Sequence, residues 1–394
     1  MNKTALTILV LLLVTACHNK SAITSNSQNL IQAQSIIKTI QQRILPDKRD
    51  HIFDIVIKQN NNTIVLSGAT DFKTLLNHIT DSLSAQKIPF LNQVQLLPLP
   101  QFEHKTGVTR LSVANLRAKP KHSSELVTQT LMGMPLQIYD YKNGFYHVRT
   151  PEGYYAWIDA AGIKILTNQS FKQWLLKDKC IVTAQYCKVY TKPNLSAFPV
   201  SDAVLNDVFI PLEKEDDFIK IAYPDGRTGF IQTENVMLLD AFNDANNLHT
   251  SPNDIITAAK QYLGIPYLWG GTSVKGLDCS GFTKTVFAEF GYLLPRDASQ
   301  QAKIGQQIPV NKQDFSNLKA GDLLFFGKIK NGKTKVTHVA IHINNGKIIH
   351  ATGEVKIESL NSNDKDYNSE RLNSLLLARR VYKVYPQLFS KIYK

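Results

Sequence analysis

In this 394-residue chain the cysteines and histidines are weighed first, because a thiol beside an imidazole is a nucleophile with its own base. The cysteines stand at 17, 180, 187 and 279, and none shows the Cys-x-x-Cys spacing of a structural zinc site. Beyond Cys279, Phe282, Val286 and Phe290 recur every four residues up to Gly291. That period predicts a helix capped by Asp278 with Cys279 in its first turn, where the positive end of the helix dipole stabilises a thiolate. The histidines after Cys279 are His338, His342 and His350. Val336 to Ile343 alternates as a strand, with His338, Ala340 and His342 on one face. Asn344-Asn345-Gly346 reads as a hairpin turn; a three-residue loop with Gly346 left-handed pairs Ile343 with Lys347 and sets Ala340 opposite His350. His338 and His350 are then diagonal neighbours on one face, Cα atoms roughly 7 to 8 Å apart, so one ring can orient the other. Cys279, His338 and His350 form a candidate triad of nucleophile, base and orienter. A two-residue turn would put the histidines on opposite faces. Two other readings of these residues stay open: an inert buried thiol among structural histidines, and a zinc site made by the same three groups.

The elements that must position these residues begin with an address. Lys3 precedes an apolar run from Ala5 to Val14, too short to span a bilayer and suited to a secretory signal. The run closes on Val14-Thr15-Ala16-Cys17, which resembles a bacterial lipobox, so residues 1–17 are expected to be a lipoprotein signal with lipid on Cys17. The expected location is the cell envelope, anchored to a membrane and facing the periplasm. Lys plus Arg is 45 against Asp plus Glu 32, a formal charge of +13. That excess favours polyanions, and export points to anionic envelope surfaces with no nucleic acid partner. An apolar fraction of 43% argues against overall disorder, and the length predicts two to four domains.

Residues 18–48 read as a tether with a short helix, Ile36 to Ile44, ended by Pro46. Residues 49–100 read as a small ββαβ unit, with strands at 52–58, 63–66 and 94–97 and a helix whose apolar face is Phe72, Leu75, Leu76, Ile79 and Leu83. Its histidines, His51 and His78, have no evident partners, and the unit is assigned a spacer or packing role. An internal repeat follows at an offset of 73 residues. Arg117-Ala118-Lys119-Pro120 recurs as Tyr190-Thr191-Lys192-Pro193, and Phe145-Tyr146-His147-Val148 as Phe218-Ile219-Lys220-Ile221. Short strands with frequent turns predict two small β-barrels, 104–168 and 178–240. The pattern resembles the bacterial SH3-like domains of cell-wall enzymes. Shared positions such as Phe145 and Trp157 are expected in the barrel cores, so positions that differ are informative: Glu125 and Tyr154 in the first copy correspond to Phe198 and Arg227 in the second. Spacing alone leaves open whether Cys180 and Cys187 form a disulfide.

Residues 250–385 hold the candidate chemistry. Gly264-Ile265-Pro266-Tyr267 with Trp269-Gly270-Gly271, then Asp278-Cys279-Ser280-Gly281-Phe282, Leu294-Pro295-Arg296, Ala320-Gly321-Asp322-Leu323-Leu324-Phe325-Phe326, Thr337-His338-Val339-Ala340-Ile341 and Ile348-Ile349-His350-Ala351 together resemble the NlpC-type family of papain-like cell-wall peptidases. The resemblance implies an α+β domain with the Cys on a helix against an antiparallel sheet, His338 as base, His350 as orienter and Tyr267 at the oxyanion hole. His342 falls where relatives often have Tyr and is expected to face the helix or solvent. The whole chain is then multidomain: a small α+β N-terminal unit, two SH3-like β-barrels and a C-terminal α+β papain-like peptidase domain.

The order of domains resembles the subgroup that cleaves muropeptides between γ-D-glutamate and the diamino acid. That resemblance implies that the first barrel closes the cleft and that Glu125, Tyr154 and Asp278 hold the free amine of a terminal L-alanine. Tyr155 stands beside Tyr154 as a second tyrosine at that position. The same resemblance gives Arg296, with Ser280 and Asp297, to the α-carboxylate of D-glutamate, and counts Trp269 among the substrate-binding residues. Ala298 stands where a Ser often follows Arg-Asp, with Ser299 as a substitute. The chemistry is attack by Cys279 on the γ-glutamyl carbonyl and hydrolysis of the acyl-enzyme, with no metal or cofactor and with a monomer expected. Rivals are a hydrolase of intact peptidoglycan, whether endopeptidase or amidase, and a non-catalytic wall-binding lipoprotein.

Overall fold

The structure is a computed structural model that describes residues 28–61, 63–249, 251–382, 384–385 and 389–393. Cys17 and the signal-like segment lie outside the described residues. The chain divides into two compact units, 1–100 and 101–394.

In the first unit, helix α1 (28–44) is followed by β1 (Val56–Asn60), β2 (Thr63–Thr70), α2 (Lys73–Ala85) and β3 (Phe90–Leu96). β1 and β2 are antiparallel, and β3 lies parallel to β2 because α2 supplies the crossover. Leu75, Leu76, Ile79 and Leu83 are the buried stripe of α2, as their period predicts. α1 buries Ala33, Ile37 and Ile40 in the same core. This helix is therefore a packing element of the unit and not part of a tether. Its start was missed because only the segment after Ile36 is densely apolar. His51 is not solitary: its Nδ1 lies 3.3 Å from Asp71 and its ring stacks on Phe72.

The second unit opens with β4 (Lys105–Thr109), β5 (Val113–Arg117), β6 (Leu126–Leu131), β7 (Pro135–Lys142), β8 (Phe145–Arg149), β9 (Tyr155–Asp159) and β10 (Ile163–Thr167). These form one antiparallel sheet in the order β10-β4-β7-β8-β9-β5-β6. After α3 (Asn168–Leu175) come β11 (Cys180–Val182), β12 (Tyr186–Tyr190), β13 (Pro199–Val204), β14 (Val208–Glu215), β15 (Phe218–Ala222), β16 (Thr228–Gln232) and β17 (Val236–Leu238). Their order, β13-β12-β16-β15-β14-β11-β17, is the same arrangement, so the repeat in sequence is a repeat in topology. Phe145 is core, whereas Trp157 is half-buried and stacks on His147. Cys180 and Cys187 are both buried in the second sheet's core as free thiols, with no disulfide between them. The two barrels meet through Asp207, whose carboxylate accepts from the backbone N–H of Met132 and of Val204.

The C-terminal domain contains α4 (Leu239–His249), α5 (Pro252–Lys260), β18 (Thr272–Ser273), β19 (Gly276–Leu277), α6 (Cys279–Ala288), α7 (Ala298–Gln301), β20 (Gln306–Ile308), β21 (Leu323–Lys330), β22 (Lys333–His342), β23 (Lys347–Thr352), β24 (Glu354–Ser359), α8 (Ser369–Ser374) and β25 (Leu375–Arg380). Its six-stranded antiparallel sheet has the order β20-β25-β21-β22-β23-β24. α6 lays Phe282 and Val286 on the sheet face carrying Val339, Ile341, Ile349 and Ala351. The opposite face carries Leu324, Phe326, Ala340 and Ile348 against Leu360 and Leu375. Each such fully buried aliphatic or aromatic side chain contributes about 1.5–3 kcal/mol. The hairpin is in the three-residue register: Ile341 pairs with Ile349, His342 with Ile348, and the N–H of Ile343 donates to Lys347 O at 2.8 Å. Asn345 joins Gly346 in the left-handed region, which Asn tolerates better than most side chains.

One buried ion pair fastens the sheet beneath the site. Asp322, 0% exposed, receives both Arg380 Nε and Nη2 at 2.8 Å and also the N–H of Lys319. Asp322→Ala would leave the mostly buried Arg380 guanidinium without its counter-ion, and is expected to lower unfolding free energy by about 3–5 kcal/mol. Urea unfolding followed by fluorescence measures it; a loss below about 1 kcal/mol would contradict the assigned role.

Candidate active site

Asp278 caps α6, as its sequence position predicts, accepting from the N–H of Gly281 at 2.7 Å. The same carboxylate accepts from Ser280 Oγ, from the N–H of Gly270 and from both Nη atoms of Arg296. A carboxylate offers about four lone-pair sites, so Asp278 is saturated. Arg296 is 2% exposed, and its Nη1 also donates to Ser280 Oγ at 3.0 Å. This corrects the sequence reading at two residues. Arg296 does not present its fork to the cleft, and Asp278 has no oxygen left for an ammonium; together they lock the loop 264–271 onto the first turn of α6. The carboxylate favours the charged guanidinium strongly enough that burial does not depress it.

Cys279 is in that first turn, buried, with its sulfur hydrogen-bonded by the backbone of Val339 and Ser280. Val339 follows His338, so the thiol lies against the strand that carries the candidate base. Burial pushes the thiol up to about 11, and the neighbouring Asp278 carboxylate adds to this; the Val339 hydrogen bond and the Arg296 charge oppose it. The expected thiolate at the helix end is therefore not the resting form. Burial is the largest of these contributions.

β22 is bulged at Thr337: His338 pairs with Phe326, but Val336 pairs with Gly327. His338 itself stays in register with Phe326, and the two rings lie 5.8 Å apart. His338 Nε2 lies 2.7 Å from His350 Nδ1, which leaves Nδ1 as the other nitrogen of the His338 ring. Burial holds both rings well toward the neutral form; for His338 the positive charges of His350 and Arg371 act in the same direction. Behind His350, its Nε2 lies 3.0 Å from Glu358 Oε2 but meets the carboxylate off axis. Glu358 had no signal in the sequence, because it comes near His350 only through the β23–β24 register, in which Ile348 pairs with Glu358. His342 faces neither helix nor solvent: it is buried, with Nδ1 at 3.0 Å from Lys319 O and Nε2 accepting from Gly346 N–H. Both its nitrogens are engaged by backbone, which removes it as a base.

Tyr267 is held by its N–H donating to Gly353 O at 2.8 Å and by a bridge to Leu277. Burial raises its phenol to about 12, with the Cys279 and Asp278 charges contributing, so it stands beside the thiol as a neutral donor. The first barrel reaches the same loop. Trp269, 61% exposed, donates its indole N–H to Glu125 Oε1 at 2.8 Å. Gly270 sits at φ +81°, where a Cβ would meet Leu126 O at 2.5 Å, so only glycine admits the barrel this close. Thr272 N–H donates to Gln129 Oε1, and Lys284 lies 3.3 Å from Glu152. Tyr154 is near enough to Arg296 to affect its charge, whereas Tyr155 packs on Tyr139 and Arg149. Tyr154 is thus the tyrosine of the pair that approaches the cleft. Asp297 caps α7 in a capping box with Gln300, a structural role that the sequence reading did not give it.

Comparison with known proteins matches residues 264–374 to the NlpC/P60 family and residues 112–164 to the bacterial SH3 domain. The chain is 30% identical over 259 residues to a gamma-D-glutamyl-L-lysine dipeptidyl-peptidase of Bacillus cereus (strain ATCC 10987 / NRS 248), covering 63% of this chain and 74% of that protein. It is 44% identical over 119 residues to the protein of the same name from Bacillus subtilis (strain 168), covering 30% of this chain and 38% of that one. A crystal structure of an NlpC/P60 family protein from Bacillus cereus ATCC 10987 aligns over 70% of this chain and 99% of its own, with a TM-score of 0.60 at 24% identity, a likeness of fold.

The neutral resting pair has a consequence for pH. The form of His338 that can take the thiol proton is the unprotonated one, and its pKa lies well below the ordinary 6.5, so that form persists as pH falls. The acid limb of kcat/KM is expected below pH 6.5; a limb at or above 7 would show that the histidine is not held neutral by burial.

Proposed function

This chain belongs to the NlpC/P60 family, and from that premise we propose that it is a cysteine peptidase hydrolysing the γ-D-glutamyl-diamino acid bond of peptidoglycan stem peptides that carry a free N-terminal L-alanine. The observation that carries the reading is the junction of barrel and loop: Glu125 is bonded to Trp269, next to Gly270, whose N–H donates to Asp278 at the start of the helix that carries Cys279. Glu125 and Tyr154 are the side chains offered to the ammonium, while Asp278 and Arg296 fix the wall behind them.

The thiol proton passes to His338 Nδ1 as Sγ attacks the γ-carbonyl carbon. The backbone N–H of Cys279, at the start of α6, and the phenol of Tyr267 receive the oxyanion. The imidazolium returns its Nδ1 proton to the leaving amine of the diamino acid. Water, deprotonated by His338, then hydrolyses the thioester and restores the thiol. These steps call for no metal or cofactor. The closed barrel side favours short stems already released from glycan over intact wall, where an amide occupies the alanine nitrogen.

The test compares L-Ala-γ-D-Glu-L-Lys with its N-acetylated form by mass analysis of products. Acetylation removes a charged hydrogen bond and is expected to lower kcat/KM about 10- to 100-fold. The penalty should shrink in Glu125→Gln, and Cys279→Ala should show no turnover on either peptide. An unchanged ratio between the two substrates in Glu125→Gln would remove Glu125 from the site. Saturable binding of peptide without products would favour the wall-binding alternative.

For location, the signal-like run ending in Cys17 supports a lipid anchor in the cell envelope, facing the periplasm. Cys17→Ser should move the protein from the membrane fraction to the soluble fraction with unchanged activity in vitro. Continued sedimentation with membranes would argue for a different anchor.

A further inference from the structure

Glu358 of β24 lies two residues beyond Lys356, the partner of His350 across the strand pair. Two donors reach it and a third nitrogen approaches it off axis. Asn368 Nδ2 donates to Oε2 at 2.9 Å, Lys356 Nζ lies 2.8 Å from Oε1, and His350 Nε2 is 3.0 Å from Oε2. The carboxylate is mostly buried, and the contact with His350, followed by Lys356, holds it far below the usual carboxylate range. In its ionised form it can only accept.

We propose that Glu358 is the terminal positioning residue of the site and sets the tautomers of both histidines through a chain of hydrogen bonds; this rests on the peptidase reading above. An ionised carboxylate can only accept, so His350 places its proton on Nε2, and a neutral His350 then has a lone pair on Nδ1. His338 Nε2, 2.7 Å from that lone pair, must carry the donating proton. Nδ1 of His338 is left unprotonated, as the base toward Cys279 has to be. When His338 takes the thiol proton, the charge stays on its ring and Glu358 remains ionised; its field stabilises the imidazolium without proton transfer. The other charges lining the cavity beside Glu358 are Lys328, Lys356, Arg371 and Glu370. Of these, Arg371 works against protonation of both rings and Lys356 against that of His350.

Glu358→Gln inverts the chain. The new amide meets a donor at either position, the Lys356 ammonium at Oε1 and the Asn368 amide at Oε2; the charged donor claims the amide oxygen, so the NH2 faces His350 and displaces Asn368 Nδ2. His350 Nε2 must then accept, its Nδ1 carries the proton, His338 Nε2 accepts from it, and His338 Nδ1 presents N–H to the thiol. The expected result is a fall in kcat of about 10- to 100-fold with little change in KM. Alkylation of Cys279 by iodoacetamide at pH 7 should slow in parallel. The 15N signal of His338 Nδ1 should move from the unprotonated to the protonated position. Glu358→Ala, which imposes neither tautomer, should be less damaging to turnover than Glu358→Gln; a residue that only supported β24 would give the reverse order. Wild-type rates in Glu358→Gln, or an unprotonated His338 Nδ1 in that variant, would overturn the proposal. Alkylation and NMR need no substrate. If the wild type fails to cleave the tripeptide while the tautomers still invert, the substrate assignment fails and the relay stands.

Discussion

The carboxylate of Asp278 is the fixed point of the catalytic half of the protein. Five hydrogen bonds reach it from Gly270, Ser280, Gly281 and Arg296, which come from the loop before α6, the first turn of α6 and the turn after it. A buried ion pair of this kind costs desolvation that further hydrogen bonds must offset; here every lone pair of the carboxylate has a donor, while Arg296 Nε is left without a partner. Its effect is positional. Cys279 cannot shift without breaking the cap, and Trp269 and Gly270 cannot shift without uncovering the carboxylate. The glycines are consequences of the same constraint: a Cβ on Gly281 would lie 1.9 Å from Gly271 O, so helix and loop can touch only through bare backbone.

That constraint also explains the electrostatic state of the thiol. An acid one residue before the nucleophile opposes thiolate formation, and burial opposes it further. The helix N-terminus and Arg296 are too weak to reverse the balance, because Arg296 is already neutralised by Asp278. Nucleophilicity then depends on a base with the correct lone pair at the moment of attack, and the two histidines and Glu358 are arranged to keep one there. Burial of His338 and His350 favours the same neutral state.

The two barrels share a topology yet differ in what they touch. The first contacts the peptidase loop through Glu125, Leu126 and Gln129, and α6 through Glu152. In the second, Phe198, the counterpart of Glu125, is exposed. A central core of Val108, Met134, Trp174, Ile181, Val208, Leu239 and Leu293 joins both barrels to the peptidase domain, so the first barrel is held against the cleft by packing as well as by the polar rim.

The sequence by itself determined whatever local periodicity and turn chemistry control. The helix beginning at Cys279, the three-residue turn that puts His338 and His350 on one face, the ββαβ order and the 73-residue repeat are all readable from spacing, because each depends on residues near in the chain or on an offset that can be counted. Only the tertiary structure decided how polar groups far apart in sequence divide their bonds. Asp278 and Arg296 looked like two ligands for substrate, but they bind each other, since burial makes an unpaired charge more costly than a vacant contact. His342 was expected to face the helix or solvent, but it is buried with both nitrogens engaged by Lys319 and Gly346. Glu358 had no mark at all in the sequence, since its importance arises from strand register and from a carboxylate that accepts from Asn368, pairs with Lys356 and lies 3.0 Å from His350 Nε2. Spacing encodes which residues share a face; desolvation and the competition for hydrogen-bond partners, which exist only once the chain is folded, decide what each of them does there.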